Sequence, residues 1–302
     1  MRVVSFDIGG TNIEYGIIED GKILQRGDTS TKGIKNQESF VNILRNITFA
    51  VSGEVSPDAV SMGIAGLVNP DKGEILFSPN LPFLNGLNLK DAFSDIAKFY
   101  LDNDANVYAL GEWKFGAGEG KDNVVVITLG TGVGAGIIAN GKLLRGANYY
   151  AGEAGHIIID FGGQWCRCGQ RGCLESYVGG YYFPEFAKHF LRKMGRNCEE
   201  CTMQKLYVMA INDRDEIALN LFKEYGRYLA YGLVSIIHLL DPQIIVLGGG
   251  IAEGFDLFKE TMLREIANRV MGFNKRKLSI KKGILGKKAG IYGGYVLAKE
   301  TV

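Results

Sequence analysis

"GIIEDGKIL" at Gly16–Leu24 and "GIIANGKLL" at Gly136–Leu144 are identical at six of nine positions, and Ile23 is matched by Leu143. The two stretches lie 120 residues apart. Each joins two apolar runs through an acid- or amide-glycine pair, Asp20–Gly21 or Asn140–Gly141. That pattern predicts a tight β-hairpin. A repeat this long excludes a solenoid and points to two related halves, each opening with strand, turn and strand.

Working outward, each hairpin is preceded by a buried-strand run ending in glycines. Val3–Phe6 leads into "DIGGTN" (Asp7–Asn12), and "NVVVITL" leads into "GTGVG" (Gly130–Gly134). Phe40, Ile43, Leu44 and Ile47 recur at helical spacing. "AVSMGIAG" and "FYLDNDA" read as strands ending in turns, and "NVYALGEWKFG" reads as a helix beginning near Asn106. A long helix is expected over Glu216–Leu240, ended by Asp241–Pro242. "QIIVLGGGI" is a strand meeting a third glycine turn, and a last helix spans Ala289–Lys299. Strands alternating with helices in both halves define an α/β protein.

Composition sets bounds on function. The 302 residues carry 34 Lys+Arg against 33 Asp+Glu, a net charge of +1, with no long basic run. Neither nucleic acid nor a membrane surface is an expected partner. No stretch approaches ~20 consecutive apolar residues, so no membrane span is expected. Of five cysteines, an odd number, three lie together. This suits a reducing, cytoplasmic setting with a metal site better than a disulfide framework.

Three glycine loops could cradle phosphate through inward-pointing backbone N–H groups. They comprise Asp7, Gly9, Gly10, Thr11 and Asn12; Gly130, Thr131 and Gly132; and Gly248, Gly249 and Gly250. One such loop alone is better explained as a turn; two copies of one hairpin could clamp a polyphosphate. There is no GxxxxGK[ST], and the loops at Gly9 and Gly130 run into β-type residues, which excludes a P-loop and a Rossmann fingerprint.

His156, Cys166, Cys168 and Cys173 follow H-x9-C-x-C-x4-C. Three thiols and an imidazole favour tetrahedral Zn²⁺, and four protein ligands leave no open position, so the metal should be structural. The acids Glu153 and Glu175 flank this knot and would leave it as one rigid unit able to bind hydroxyls. Cys198 and Cys201 read as thiols outside the metal site, His189 as a surface residue and His238 as a core residue. Asp104 could cap the helix that follows it or act as a base; on the residues alone these stand equal.

"DIGGTN", "PNLP" (Pro79–Pro82), "NDA" (Asn103–Ala105), "LGTGVGAGII", "GEAGH", "CRCGQRGCLE" and "GGGI" occur in one order along nearly the whole chain. Together they resemble the ROK sugar kinases (repressors, open reading frames, kinases) of the actin/hexokinase-like ATPase superfamily. The resemblance implies two actin-like (ribonuclease H-like) α/β domains with a cleft between them and a zinc-binding knot at 156–175. The expected boundaries are 1–108 plus 289–302 for a smaller domain and 109–288 for a larger one. ATP and Mg²⁺ would lie against the glycine loops, and the sugar against Asn80, Asn103, Asp104, Glu153, His156 and Glu175, with Asp104 as general base. The implied activity is phosphorylation of a hexose, glucose first and fructose, mannose, allose or an N-acetylhexosamine as alternatives, with ADP or polyphosphate also open as donor. A sugar-responsive regulator without its DNA-binding domain and a zinc-dependent binding module are the alternatives of other classes. Relatives imply a homodimer or homotetramer.

Overall fold

The computed structural model describes residues 1–300. It divides into two compact units. The first comprises Met1–Val126, Gly136–Gly152 and the chain from Gly283 onward; the second comprises Ile127–Ala135 and Glu153–Lys282. These limits differ from the expected 1–108 and 109–288: residues 109–126, 136–152 and 283–288 group with the first unit. The helix after residue 104 packs onto the first sheet, and that burial overrides the boundary suggested by the strand end. Residues 301 and 302, included in the expected smaller domain, lie outside the described residues.

The first unit begins with β1 (Arg2–Ile8), β2 (Asn12–Glu19) and β3 (Lys22–Ser30), followed by α1 (Gln37–Ser52) and β4 (Ala59–Ile64). A small ribbon of β5 (Leu67–Asn69) and β6 (Glu74–Phe77) and the short α2 (Leu89–Ala92) lead to β7 (Lys98–Asn103) and α3 (Asp104–Phe115). The sheet order is β3-β2-β1-β4-β7, with β1, β4 and β7 parallel. β1 is buried on both faces. Val4, Phe6 and Ile8 join a core with Phe40 and Leu44 of α1, and Val3 faces Ile291 and Tyr295. This is the period-2 division of a central strand between two layers.

β8 (Val124–Leu129), β9 (Val133–Ala139) and β10 (Lys142–Leu143) repeat the plan, and with β11 (Ile244–Gly248) and β12 (Ser279–Lys282) they form a sheet ordered β10-β9-β8-β11-β12. The duplication read from the two nonapeptides is therefore a duplication of topology. Both turns use left-handed backbone: φ is 48° at Asp20 and 79° at Gly21, 51° at Asn140 and 71° at Gly141. That conformation suits a two-residue hairpin and explains the residue types.

In the second unit α4 (Glu175–Val178), α5 (Phe183–Lys193), α6 (Met203–Ile211), α7 (Glu216–Leu240) and α8 (Phe255–Arg269) surround the strands. α7 has its expected limits: Asp215 accepts the Ile217 and Ala218 amides at the start, and Asp241 closes it in left-handed backbone at φ 43°. α9 (Ala289–Lys299) returns to the first unit. Its approach to α3 depends on glycine, since a Cβ on Gly111 would lie 2.1 Å from the Ala289 carbonyl oxygen. His238 is exposed rather than buried, and its Nε2 accepts the Met271 amide at 2.9 Å. It sits in the last turn of α7, where the apolar face of that helix has rotated past it. His189 is exposed as expected.

Candidate active site

The parallel strands of the first unit end level with one another, Ile8 opposite Ile64 and Ile64 opposite Asn103. Ligands in α/β sheets gather outside such carboxyl ends. The Gly9–Asn12 loop follows β1 and is closed by a Gly9 amide bond to the Asn12 carbonyl at 2.9 Å. Gly10 lies against Asn80: a Cβ there would fall 2.7 Å from the asparagine Cβ, so the close approach requires glycine. At the end of β7, Asn103 Oδ1 caps α3 by accepting the Ala105 and Asn106 amides, while its Nδ2 donates to the Gly66 carbonyl at 3.0 Å. Asp104 is the first residue of α3, two residues earlier than expected, and its Oδ1 also accepts the Ala105 amide at 2.9 Å.

Asp7 shares this edge. Burial, then the Asp104 and Glu14 carboxylates, push its carboxyl up to about 8. Gly290 leaves room for it, since a Cβ at that position would lie 2.2 Å from Asp7 Oδ2. A carboxyl that resists ionisation chiefly because it is buried, with two further acids acting on it, is one that a hard divalent cation would relieve. Glu14, half-buried and paired with Lys287 at 3.1 Å, carries no motif in the sequence and was not anticipated.

In the second unit, Gly130, Thr131 and Gly132 link β8 to β9. The Gly180 and Tyr181 amides donate to the carbonyls of Gly130 and Thr131 at 2.8 and 3.0 Å. The turn after β11 lies beside the end of β8: Gly249, at φ 83°, sits where a Cβ would be 2.4 Å from the Leu129 carbonyl oxygen. Gly248 is the last residue of β11. A cavity of about 660 Å³ opens here, walled by Thr131, Tyr181, Met203, Tyr207, Gly250 and Ile251 among others. Sequence reasoning supplied Gly130, Thr131 and Gly250 but missed the wall from α5 and α6, whose residue types carry no chemical signature. Cys201 also lines it, and burial with the Cys198 thiol pushes Cys201 up to about 12.

His156, Cys166, Cys168 and Cys173 bring one ligand atom each to within 4.8 Å of one another. Cys168 and Cys173 sulfurs are 3.6 Å apart, and His156 Nδ1 is 3.8 Å from Cys166 Sγ. Ligands ~2.3 Å from one tetrahedral ion stand ~3.8 Å apart, close to the spacing of these two pairs, so the four residues form a candidate zinc site. Burial and the neighbouring thiols push Cys173 up to about 12. A bound cation would favour the Cys173 thiolate that this setting disfavours. Cys198 and Cys201 stand outside this cluster, as expected.

The other ring nitrogen of His156 meets an acid. Its Nε2 lies 3.8 Å from Glu153 Oε2, and Glu153 is raised by burial and by the nearby Glu175. Glu175 Oε2 accepts the Val133 amide at 2.9 Å, and its Oε1 lies 3.9 Å from Cys166 Sγ. The knot therefore gathers Glu153, His156 and Glu175 as anticipated. It also ties the last of these to the Gly130–Gly132 loop, a link that no spacing in the sequence reveals.

The arrangement can be set beside known proteins. A glucokinase of Thermotoga maritima is 30% identical, covering 100% of this chain and 98% of that one. A glucokinase of Streptomyces coelicolor is 33% identical over 98% and 97% of the two chains. The crystal structure of a ROK family glucokinase from Streptomyces griseus, in complex with glucose and AMPPNP, is similar over 99% of this chain and 100% of that one, with a TM-score of 0.85 and 30% identity. The family model for ROK matches residues 3–301, and the chain belongs to the ROK family.

Proposed function

We propose that this protein is an ATP-dependent sugar kinase that phosphorylates a hexose hydroxyl, with glucose the first candidate. The observation carrying this reading is the carboxylate edge of the first unit, where Asp104 opens α3 beside Asp7, in a chain resembling glucokinases over its whole length.

A sugar hydroxyl is a weak nucleophile at neutral pH. Asp104 takes its proton as the new oxygen–phosphorus bond forms and the bond to the leaving ADP oxygen breaks; a placed base contributes about 10²–10⁴-fold. Asn80, Asn103, Glu153, His156 and Glu175 offer hydrogen bonds to the sugar's hydroxyls. Amides of Gly9–Asn12 and Gly130–Gly132 receive phosphate oxygens, and Gly248–Gly250 with the adjoining cavity receive the rest of the nucleotide. A Mg²⁺ ion, when bound, neutralises the phosphate charge that builds during transfer, and Asp7 would hold it directly or through water. The zinc ligands stay out of the chemistry and hold Glu153, His156 and Glu175 as one unit. The reading places the enzyme in the cytoplasm as a homodimer or homotetramer, which light scattering measures directly.

The test is sugar-phosphate formation with each of glucose, mannose, fructose, allose and N-acetylglucosamine, with ATP, ADP and polyphosphate compared as donors. ATP turnover that depends on a hexose, with the highest kcat/KM for glucose, supports the reading. Binding of sugar without turnover by any donor overturns it in favour of a sensing module.

A further inference from the structure

Asp102 immediately precedes the cap of α3, and its side chain is 2% exposed. Its Oδ1 accepts the Asn103 amide and the Asn106 side-chain amide, both at 2.8 Å. Asn103 Oδ1 in turn accepts the Ala105 and Asn106 amides. One buried carboxylate thus grips the chain on either side of Asp104. Its other oxygen accepts Arg145 Nε at 2.6 Å, and Arg145 is itself only 17% exposed.

A buried carboxylate stripped of its counter-charge is strongly disfavoured and would move or recruit water. Arg145 comes from the loop after β10, which is held at a second point where Tyr149 donates to Asp71 Oδ2 at 2.5 Å. This loop runs directly into Glu153. The chain that pins the turn holding Asp104 is therefore the chain that delivers a proposed sugar carboxylate.

We infer that Arg145 is a positioning residue for proton transfer: by pairing with Asp102 it fixes the Asn103–Asn106 turn and so the aim of Asp104. This rests on the kinase reading above. Arg145 reaches the turn through Asp102, and a misaligned base slows chemistry while leaving nucleotide binding intact.

Arg145→Met, which keeps bulk, should lower kcat about 10²-fold, the cost of a small misplacement at a reacting centre. KM for ATP should stay within about twofold, since the nucleotide is bound elsewhere. In Arg145→Ala, added guanidinium at millimolar concentration should recover about tenfold of the lost kcat by reoccupying the vacated site beside Asp102. Tyr149→Phe, which cuts the other tie of the same loop, should retain kcat within about twofold, the scale of one exposed hydrogen bond. Asp102→Asn should lose as much as Arg145→Met, and the double variant should lose no more than either alone, as expected of a coupled pair. Unchanged kcat in Arg145→Met, equal losses in Tyr149→Phe, no guanidinium recovery or an additive double variant would each overturn the inference. Wild-type protein without hexose-dependent turnover would sink the kinase reading instead.

Discussion

Glu175 Oε2 accepts the Val133 amide at 2.9 Å, so a carboxylate rooted beside the cysteine knot also fixes the backbone of the Gly130–Gly132 loop. Gly132 leaves space for it, because a Cβ there would lie 2.5 Å from the same oxygen. Glu175→Gln keeps an acceptor for Val133 but removes the charge, and Glu175→Ala removes both. The glutamine variant should raise KM for the sugar about tenfold with KM for ATP nearly unchanged, whereas the alanine variant should raise both, since losing a charge-assisted hydrogen bond costs about 1.5–3 kcal/mol. Steady-state kinetics with each substrate varied separately decides it. An alanine variant with normal KM for ATP would show that the bond to Val133 has no part in nucleotide binding.

The raised carboxyl of Asp7 gives a pH dependence whose sign can be worked out. An acid that binds its proton more tightly in the folded state makes folding less favourable once it must ionise. The penalty is absent below about pH 4, where both states are protonated, and grows as pH rises to about 8. Asp7→Asn should therefore melt about 5 °C higher than wild type at pH 8.5 and match it near pH 4. It should also lose turnover, because the same carboxylate is assigned to Mg²⁺. Thermal melts across this range check the first part, and a variant less stable at pH 8.5 would show that Asp7 is a structural acid held by partners.

Metal content is the third expectation. Purified protein should carry about one zinc per chain, the number one four-ligand cluster holds. Cys173 is fully buried, and Cys173→Ser should lose most of that zinc and melt about 10 °C lower. Sugar KM should rise with it, because Glu153, His156 and Glu175 stand on the knot. Elemental analysis with calorimetry tests this; a zinc-free protein with normal melting and normal sugar KM would contradict it.

The cavity beside Gly250 can be probed from its side wall. Met203→Trp adds bulk where α6 begins and should raise KM for ATP about tenfold, since filling a packed site costs about 1–3 kcal/mol. Sugar KM should hold. The reverse pattern, with sugar KM raised and ATP KM normal, would assign the cavity to another ligand.

Most of the frame was legible because it is written in backbone chemistry. Asp20–Gly21 and Asn140–Gly141 announce left-handed turns, and the largely apolar runs of β1 and β8 announce central strands. The knot was legible because thiols and imidazole rarely crowd into so few residues for any other reason. What escaped depends on partners distant in sequence. Asp102 and Arg145 lie 43 residues apart and belong to no motif. Glu175 and Val133 lie 42 apart and meet through a main-chain amide, which has no signature in the sequence. The wall of the cavity uses Met203, Tyr207 and Ile251, which read as ordinary apolar residues until α5 and α6 are folded beside the glycine turns. His238 was misplaced because an apolar run around it suggested a core, while the last turn of α7 points it outward.

The central claim is that the Asp104 carboxylate accepts the sugar's proton. Asp104→Asn preserves the side chain's shape and an acceptor for the Ala105 amide, so folding and zinc content should be unchanged. The direct measurement is single-turnover phosphorylation of glucose by wild type and Asp104→Asn, beside calorimetric titration of glucose into both. The account predicts glucose binding within about tenfold of wild type and a phosphoryl-transfer rate at least about 10²-fold lower. A variant that transfers phosphate at a rate within a few fold of wild type would contradict it.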